Sequence, residues 1–352
     1  MTACYNLTTR IMLQKPDIPD DLIIARSQEE FGLSVSTLTF LPLGDPGTAA
    51  FRVIAANGMP YFLKLRKDFD EISVAVLLFL RSQGIQEIIP PIETTSRRGW
   101  ADFGQYKMIL YPFIEGKDGF QAGLTDPHRH TLGAALKAIH SARIPAELAR
   151  AIPHEDFSPQ GRDSLRSWKV LLETKTFDDP TAAKLAGFMK IKWDKITQLI
   201  GRSEELALQL QAGPLELALC HTDVHGGNIL ISKSGSLYLV DWDNPILAPK
   251  ERDLMFIGGG IDNLWKNERE QAVFYRGYGR TEVDLAALAY YRYERVIQDL
   301  AVIGRQLLFT KEGGADRERS FGWFASNFER GNTIEIAQRT DRLLGKSPRR
   351  AL

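Results

Sequence analysis

The chain has 352 residues, 44% of them hydrophobic and 25% charged, and its 44 acidic and 44 basic residues give a formal net charge of zero. These proportions exclude a chain that is disordered throughout and argue against nucleic acid as a partner, because nucleic-acid-binding proteins usually carry an excess of basic residues. The two cysteines are too few for a disulfide framework. No apolar run is long enough to span a bilayer, and the first residues lack the apolar core of a signal peptide. We therefore expect a cytoplasmic protein with no membrane partner.

The first third of the chain is dominated by strand patterns. Residues 19–31 predict a short amphipathic helix that ends at Gly32. Three strands follow at LTFLPL, FRVIAA and YFLKLR, with the turn formers DPG and NGMP between them. A helix is predicted over 72–82 and ends near Gly84, and two further strands are predicted at IIPPIET and YKMILYPFI. We therefore expect a small strand-rich unit with one helix inserted after its third strand.

Helical periodicity dominates the rest of the chain. Thr125 fits an N-cap and Pro127 fits the first turn of a helix that begins in TDPHRHTLG. Further helices are predicted over 165–175, 181–201, 204–212, 268–277, 284–310 and 321–344. The change of pattern near Glu115 and Gly116 predicts two domains, an N-terminal lobe over 1–115 and a C-terminal lobe over 116–352.

The most informative motif is HTDVHGGNIL, residues 221–230. Phosphoryl transfer to a hydroxyl requires a carboxylate that orients the hydroxyl and accepts its proton, oxygen ligands for magnesium and a cation on the nucleotide phosphates. Kinases supply these groups through His-x-Asp, an Asn five residues after that Asp and a later Asp at a strand end. Asp223 and Asn228 have this spacing, and Asp241 follows the next strand in LYLVDWDNP. The KSG turn between ILIS and LYLV predicts a hairpin that returns Asp241 towards Asn228.

Each part of this pattern also has a purely structural interpretation. Asn228 is a common turn-capping type, and His225 with the two following glycines suits an ordinary loop. The combination of order, spacing and intervening hairpin favours the phosphoryl-transfer interpretation.

A candidate nucleotide-contacting lysine stands in the N-terminal lobe. Lys64 lies in YFLKLR, the third predicted strand, where kinases place the lysine that contacts nucleotide phosphates; a solvated lysine at a strand edge is the alternative. Its expected carboxylate partner is Glu71 at the start of the next helix, although acids in a first helical turn also serve the helix dipole.

Two backbone segments complete the predicted nucleotide site. PLGDPGTAAF has the glycines of a phosphate-covering hairpin, so the amides near Gly47 and Thr48 are candidates to cradle phosphates, with an ordinary turn as an equal alternative. LYPFIEG leaves the lobe as an extended linker, and we expect the Pro112 carbonyl and the Ile114 amide to bind the adenine. A plain interdomain connection fits this segment as well.

The stretches HTDVHGGNIL, DWDNPILAPKERDLMFIGGG and YFLKLR together resemble the aminoglycoside phosphotransferase branch of the protein-kinase-like fold. More narrowly, the chain is similar to the spectinomycin phosphotransferases nearly end to end, including PKERDLMFIGGG and YYRYERVIQDLAV. This resemblance implies an α+β, two-lobed kinase that uses ATP and Mg²⁺. It further implies that the small β-rich lobe binds the nucleotide and that the larger, mostly helical lobe holds the catalytic and substrate-binding groups.

The resemblance also implies roles for individual residues: Asp223 as the catalytic base, Lys64 as a nucleotide contact, Asn228 and Asp241 as magnesium ligands and Asp243 as an auxiliary metal ligand. The chain departs from protein kinases in having Trp242 and Asp243 where they have Phe-Gly, and in lacking an A-P-E segment. This departure favours a small-molecule acceptor over a protein substrate.

The acceptor implied by the resemblance is the aminocyclitol antibiotic spectinomycin, phosphorylated on one hydroxyl. Its amines are cationic at neutral pH and favour carboxylate partners. The candidates are acids of the C-terminal helices: Asp262, Asp284, Glu294 and Asp299. Internal ion pairing, for instance between Arg295 and Asp299, is the structural alternative, and Asp253 in KERD has the alternative of locking the loop after Asp241.

Two other functions fit parts of the pattern. One is a metabolic kinase for a sugar, an amino alcohol or homoserine, and the other is a nucleotide-binding pseudokinase that acts as a scaffold. The scaffold is disfavoured because the chain keeps all four residues that kinase chemistry requires: Lys64, Asp223, Asn228 and Asp241. We expect a small-molecule substrate and a monomer or weak dimer.

Overall fold

The computed structural model describes residues 15–43, 47–259, 264–311, 314, 316–345 and 348–351. The strands in these ranges are β1 (Val35–Leu41), β2 (Thr48–Ala55), β3 (Pro60–Arg66), β4 (Ala101–Phe103), β5 (Tyr106–Pro112), β6 (Gly116–Asp118), β7 (Ala218–Cys220), β8 (Ile229–Ser232), β9 (Leu237–Leu239), β10 (Ile246–Ala248), β11 (Glu282–Asp284) and β12 (Arg349–Ala351). The helices are α1 (Asp20–Phe31), α2 (Glu71–Ser82), α3 (Gly119–Ala122), α4 (Asp126–His140), α5 (Ala146–Ala151), α6 (Gln160–Thr174), α7 (Pro180–Gln211), α8 (Glu251–Leu254), α9 (Glu268–Tyr278), α10 (Leu285–Phe309), α11 (Asp316–Ser326) and α12 (Thr333–Leu344). None of the described helices is both long enough and apolar enough to cross a membrane.

An antiparallel sheet of five strands, in the order β1-β2-β3-β5-β4, forms the N-terminal lobe. β3 lies at its centre between β2 and β5, and successive side chains of a strand point to opposite faces. Leu63 and Leu65 are fully buried in one apolar cluster with Ile23 of α1. The residues that alternate with them, Lys64 and Arg66, therefore point away from this cluster, towards the C-terminal lobe.

One predicted strand of this lobe is wrong. The segment IIPPIET makes only isolated bridges, Ile88 with Leu239 and Ile92 with Leu110, and no strand. Its two adjacent prolines have no N–H to donate to a ladder, which explains why a regular strand does not form. The fifth strand of the sheet is instead β4, Ala101–Phe103, which pairs with β5 and was not predicted.

Helix α10 runs through the centre of the C-terminal lobe and packs against α6, α7, α8, α11 and α12. It is buried on nearly every face, which requires apolar or internally paired side chains around its whole circumference. Gly304 allows α6 to approach closely, since a Cβ there would lie 2.5 Å from the Trp168 ring. The helix is therefore a rigid support for the side chains that it directs towards neighbouring loops.

The helices differ from the predictions at several places: α6 begins at Gln160 rather than at residue 165, and the short helices α3, α5 and α8 were not predicted. The helices predicted over 181–201 and 204–212 are one continuous helix, α7, because Leu199, Ser203 and Leu206 continue a single buried face past Gly201. The helix predicted over 321–344 is two helices, α11 and α12. The chain breaks between them, where Gly331 has a φ of 81° and the Asn332 side chain caps the start of α12.

Candidate active site

The HTDVHGGNIL motif forms the connection between β7 and β8. It contains a 3-10 turn over Gly226–Asn228, after which β8 and β9 form the predicted antiparallel hairpin. The amide of Val240 donates to the carbonyl of Asn228 at 3.0 Å. The hairpin therefore returns Asp241 to the vicinity of Asn228, and this prediction is confirmed.

Close packing explains the two glycines of the motif. The Phe120 ring stacks on His225 with 5.8 Å between the ring centroids. A Cβ on Gly226 would lie 2.5 Å from Phe120, and a Cβ on Gly227 would lie 2.7 Å from the His225 ring. A larger residue in place of Gly226 would displace the Phe120 ring, and one in place of Gly227 would displace the His225 ring.

Asp253 holds the start of this loop. Its fully buried carboxylate accepts hydrogen bonds from the backbone amides of His221 at 2.9 Å and Thr222 at 2.7 Å, and His140 Nε2 lies 3.0 Å from the same group. Thr222 has a φ of 78° and Asp241 a φ of 67°, a left-handed conformation that costs energy for residues other than glycine. Asp253 therefore holds a strained loop, but this is the loop before Asp223 and not the loop after Asp241 that the sequence predicted for it.

The carboxylate of Asp223 is contacted on both oxygens. Oδ1 accepts from Arg295 Nη1 at 2.8 Å, and Oδ2 accepts from Asn228 Nδ2 at 3.2 Å. Nδ1 of His225 accepts from the Gly227 amide, so Nε2 carries the hydrogen that faces Oδ2 at 3.3 Å. Burial by itself raises the pKa of Asp223, but His225 and Arg295 outweigh burial and hold the pKa well below its usual range. Asp223 is therefore ionised at neutral pH.

A cluster of opposite charges joins the two lobes. Lys64 Nζ donates to Asp241 Oδ1 at 2.8 Å and to both Asp243 oxygens at 2.8 and 3.0 Å, and Arg66 lies 2.8 Å from Asp243. Burial lowers the pKa of Lys64, but the two carboxylates outweigh it and raise the pKa above its ordinary value. Burial raises the pKa of Asp241, but the neighbouring Lys64 outweighs burial and leaves this pKa below its ordinary value. Burial, and then the charge of Asp241, raise the pKa of Asp243.

Lys64, Asp241 and Asp243 line a cavity of about 560 Å³ between the lobes. The cavity brings together most of the residues predicted to bind nucleotide or metal: Thr48, Lys64, Pro112, Ile114, Asn228, Asp241 and Asp243. Gly47 is not among the lining residues; its carbonyl accepts from the Lys67 amide, and its φ of 90° suits a turn. Phe62 and Tyr111 add aromatic surface to the same cavity.

The pair predicted between Lys64 and Glu71 is not formed. Glu71 is exposed at the first residue of α2, where an acid interacts favourably with the helix dipole. The carboxylate partners of Lys64 are Asp241 and Asp243, more than 170 residues later in the sequence. This correction has a simple cause: the nearest acid in sequence lies at an exposed helix start, whereas β3 directs Lys64 into the cleft.

The acids predicted to bind the acceptor lie in different places, and Asp262 is outside the described residues. Asp284 caps α10 by accepting from the amides of Ala286 and Ala287. Glu294 is buried, accepts from Ser203 Oγ at 2.7 Å and lies 3.5 Å from Arg162. Both carboxylates therefore have internal partners.

Asp299 lies nearer to the predicted base. Its Oδ1 is 3.1 Å from Nε of Arg295, and the same guanidinium binds Asp223. Burial raises the pKa of Asp299 to about 6, against the lowering effect of Arg295. The internal ion pair that was the alternative for Asp299 is present.

Neither Arg66 nor Arg295 was predicted to be a site residue. Arg66 had a local signal, because it lies two residues after Lys64 and therefore on the same face of β3. Arg295 had none, since it lies 72 residues after Asp223 and only the packing of α10 brings the two together.

Residues 44–291 match the model of the phosphotransferase enzyme family. The chain is 35% identical to a spectinomycin phosphotransferase solved in complex with ADP and spectinomycin; the match covers 93% of this chain and 100% of the other, with a TM-score of 0.86. Protein StrN of Streptomyces griseus is 24% identical over 226 residues, which cover 61% of this chain and 67% of StrN.

A more distant structure, the amicoumacin kinase hAmiN in complex with AMP-PNP, Ca²⁺ and Ami, is 14% identical, covers 91% of this chain and 97% of its own, and has a TM-score of 0.60. This likeness concerns the fold alone. The predicted α+β, two-lobed kinase-like fold is confirmed by the match to the spectinomycin phosphotransferase structure. The chain belongs to the phosphotransferase enzyme family and is a kinase with a hydroxyl acceptor.

Proposed function

We propose that this kinase transfers the γ-phosphate of ATP to a hydroxyl of the aminocyclitol antibiotic spectinomycin and so confers resistance to it. The observation that carries the proposal is the 35% identity to a spectinomycin phosphotransferase over 93% of this chain and all of the other. The similarity extends well beyond the residues that phosphoryl transfer itself requires. A catalytic motif that the whole family shares does not require similarity over the rest of the chain.

The charge and hydrogen-bond pattern supports Asp223 as the base. In the transfer, the acceptor oxygen forms a bond to the γ-phosphorus, the bond from that phosphorus to the ADP oxygen breaks, and the hydroxyl proton passes to a carboxylate. Asp223 is ionised and fixed on both of its oxygens, so it suits this orienting role. Lys64, at the centre of the charged cluster, is the proposed phosphate contact.

The donor set fits a divalent cation, which we propose to be Mg²⁺. Asn228 uses its amide nitrogen on Asp223, so its side-chain oxygen is the group left to offer a metal. Asp241 and Asp243 add carboxylate oxygens on the same cavity, and Mg²⁺ prefers oxygen ligands. When bound, the cation would neutralise charge on the phosphates.

The predicted contacts to the amines of the acceptor stay predictions. For Asp284, Glu294 and Asp299, their internal partners favour a structural role. The predicted domain boundary between Glu115 and Gly116 is likewise a proposal. It is supported by β5, which ends at Pro112, and by β6, which begins at Gly116 and pairs with β8 of the helical lobe.

The acceptor is tested by measuring product formation with spectinomycin, kanamycin and choline at equal concentrations, with ATP and Mg²⁺ present. We expect a far higher kcat/KM for spectinomycin, because a pocket fitted to a rigid fused tricycle orients one hydroxyl at low entropic cost, and this advantage does not transfer to a flexible glycoside. The Asp223→Asn variant is the control for contaminating kinase activity. Comparable rates with kanamycin, or turnover of choline alone, would overturn the substrate and leave only the kinase.

A further inference from the structure

The contacts around Asp223 leave little room for an incoming hydroxyl. An ionised carboxylate offers roughly four acceptor positions. Among the described residues, Arg295 and Asn228 donate to this group and His225 Nε2 faces it at 3.3 Å. Two polar groups lie beside Oδ2 and one donor lies at Oδ1, so Oδ1, beside Arg295, is the less crowded oxygen. The orientation of Oδ1 therefore decides where the acceptor hydroxyl can bind.

Arg295 is built to hold that oxygen. It is 4% exposed, its Nη1 binds Asp223 and its Nε lies 3.1 Å from Asp299, which is 5% exposed. The guanidinium also lies 5.5 Å from the centroid of the Phe256 ring. Because a guanidinium is planar and its donors are fixed relative to one another, Asp299 and Phe256 together determine the direction of Nη1.

The support behind Arg295 is the central helix of the lobe. Asp223 lies on a loop, whereas Arg295 projects from α10, which packs against five other helices of the described chain. A reacting group on a loop needs such a brace, since a displacement of about 1 Å can cost on the order of 100-fold in rate. A purely structural ion pair between Arg295 and Asp299 would not require Nη1 to lie 2.8 Å from Asp223.

We propose that Arg295 is a positioning residue of the phosphoryl transfer. It holds Oδ1 of Asp223 in the direction from which this carboxylate meets the acceptor hydroxyl, and Asp299 fixes Arg295 in turn. Arg295 does not touch the acceptor. The proposal rests on the proposed role of Asp223 as the base, and it adds a residue from a helix that carries no kinase motif.

The test combines Arg295→Gln and Asp223→Asn, singly and together, in the full-length protein. We expect Arg295→Gln to lower kcat by about 10- to 100-fold, with the KM for ATP unchanged, because only the orientation of the base is lost. In the double variant, kcat should be no lower than in Asp223→Asn alone, since a positioning residue has nothing left to act on. Arg295→Lys should recover only part of the activity lost in Arg295→Gln. Its ammonium can bind one carboxylate but cannot reach both, as the guanidinium does.

Two further variants separate positioning from folding. Asp299→Asn should lower kcat less than Arg295→Gln and should have no further effect when combined with it. Arg292→Gln is the matched control: Arg292 lies three residues earlier on α10 and binds the carbonyls of Met255 and Ile257 and the hydroxyl of Thr340. Arg292→Gln should lower the Tm. If it also lowers kcat, the fold-reduction in the double variant with Asp223→Asn should equal the product of the two single fold-reductions.

Three outcomes would overturn the proposal. The first is a kcat of Arg295→Gln within about three-fold of wild type, and the second is a double variant slowed by the full product of the two single effects. The third is an active Asp223→Asn variant, which would refute the base and the positioning residue together. If Arg295→Gln does not fold, the same comparison of single and double variants is made with Arg295→Lys and with Asp299→Asn, each combined with Asp223→Asn.

Discussion

At the scale of single residues, the chemistry of the site depends on how buried charges are compensated. Lys64 faces two carboxylates and Asp223 faces one guanidinium and one imidazole, so no charge at the centre of the site is left without an opposite or polar neighbour. Removing one member leaves the others buried without compensation, which is costly. Substitutions that keep the shape of the side chain therefore test its role most cleanly.

Asp223→Asn tests the base with the smallest change in shape. We expect turnover to fall by about two orders of magnitude or more, because an amide cannot accept the proton of the hydroxyl. Nucleotide affinity should be nearly unchanged, since Asp223 is not among the residues that line the cavity. The measurements are steady-state ADP release and nucleotide titration. Retention of more than about a tenth of wild-type turnover would contradict this role.

At the scale of elements, helix α8 stabilises the conformation of the connection between β7 and β8. The Asp253 carboxylate, on that short helix, accepts the amides of His221 and Thr222 and so stabilises the positive φ of Thr222. His140 at the end of α4 completes the contact. Two elements distant in sequence, α8 and α4, thus determine the conformation of a loop that carries the base.

Asp253→Asn should therefore destabilise the protein. We expect a loss of about 2 kcal/mol or more in the free energy of unfolding, because buried hydrogen bonds to a charged group are weakened. Asp284→Asn is the control, since Asp284 also accepts two backbone amides but caps a helix, where Asn serves as well as Asp. Urea unfolding of both variants measures the difference, and equal losses would contradict the prediction.

The pH dependence of this difference can be given a sign. Burial raises the pKa of Asp253, but His140 and the amide donors outweigh burial and leave it below its ordinary value. A depressed pKa in the folded state stabilises the protein above the unfolded pKa of about 3.9, and this stabilisation is lost as the pH falls through the folded value. The gap between wild type and Asp253→Asn should therefore shrink as the pH falls below about 4. A gap that widens in acid would refute the ionised carboxylate.

At the scale of the whole molecule, the cavity is shared between the lobes. Thr48 and Lys64 come from the five-stranded sheet, and Asn228 and Asp241 come from the helical lobe. A ligand that contacts both sets binds only when the lobes are folded and apposed. Nucleotide binding should therefore stabilise the entire protein rather than one lobe.

With Mg²⁺ and ATP at 100 times its Kd, we expect the free energy of unfolding to rise by about 2.7 kcal/mol. Asp241→Ala should abolish turnover and remove most of this stabilisation when Mg²⁺ is present, because it removes an oxygen ligand from the cavity. The Tm, measured with and without ATP and with and without Mg²⁺, checks both effects. A loss of nucleotide affinity that does not depend on Mg²⁺ would indicate a folding defect instead.

Features that depend on neighbouring residues were predictable from the sequence. Strand alternation, turn formers and helix caps predicted β1, β2, β3 and most of the long helices to within a few residues, since these signals act over short stretches of chain. The spacing of Asp223 and Asn228 and the KSG turn were also enough to predict the hairpin that brings Asp241 back. These are local properties, and local propensity agrees with the final fold in each case.

Only the tertiary structure decided which distant groups meet. IIPPIET is apolar enough for a strand, but its prolines cannot donate to a ladder, and the strand that pairs with β5 at the sheet edge is β4. Lys64 pairs with Asp241 and Asp243 instead of Glu71 because the face of β3 and the apposition of the lobes select its partners. Arg295 reaches Asp223 because α10 is packed on several sides at once. Contacts of this kind depend on the sum of many packing interactions, so no spacing rule along the chain encodes them.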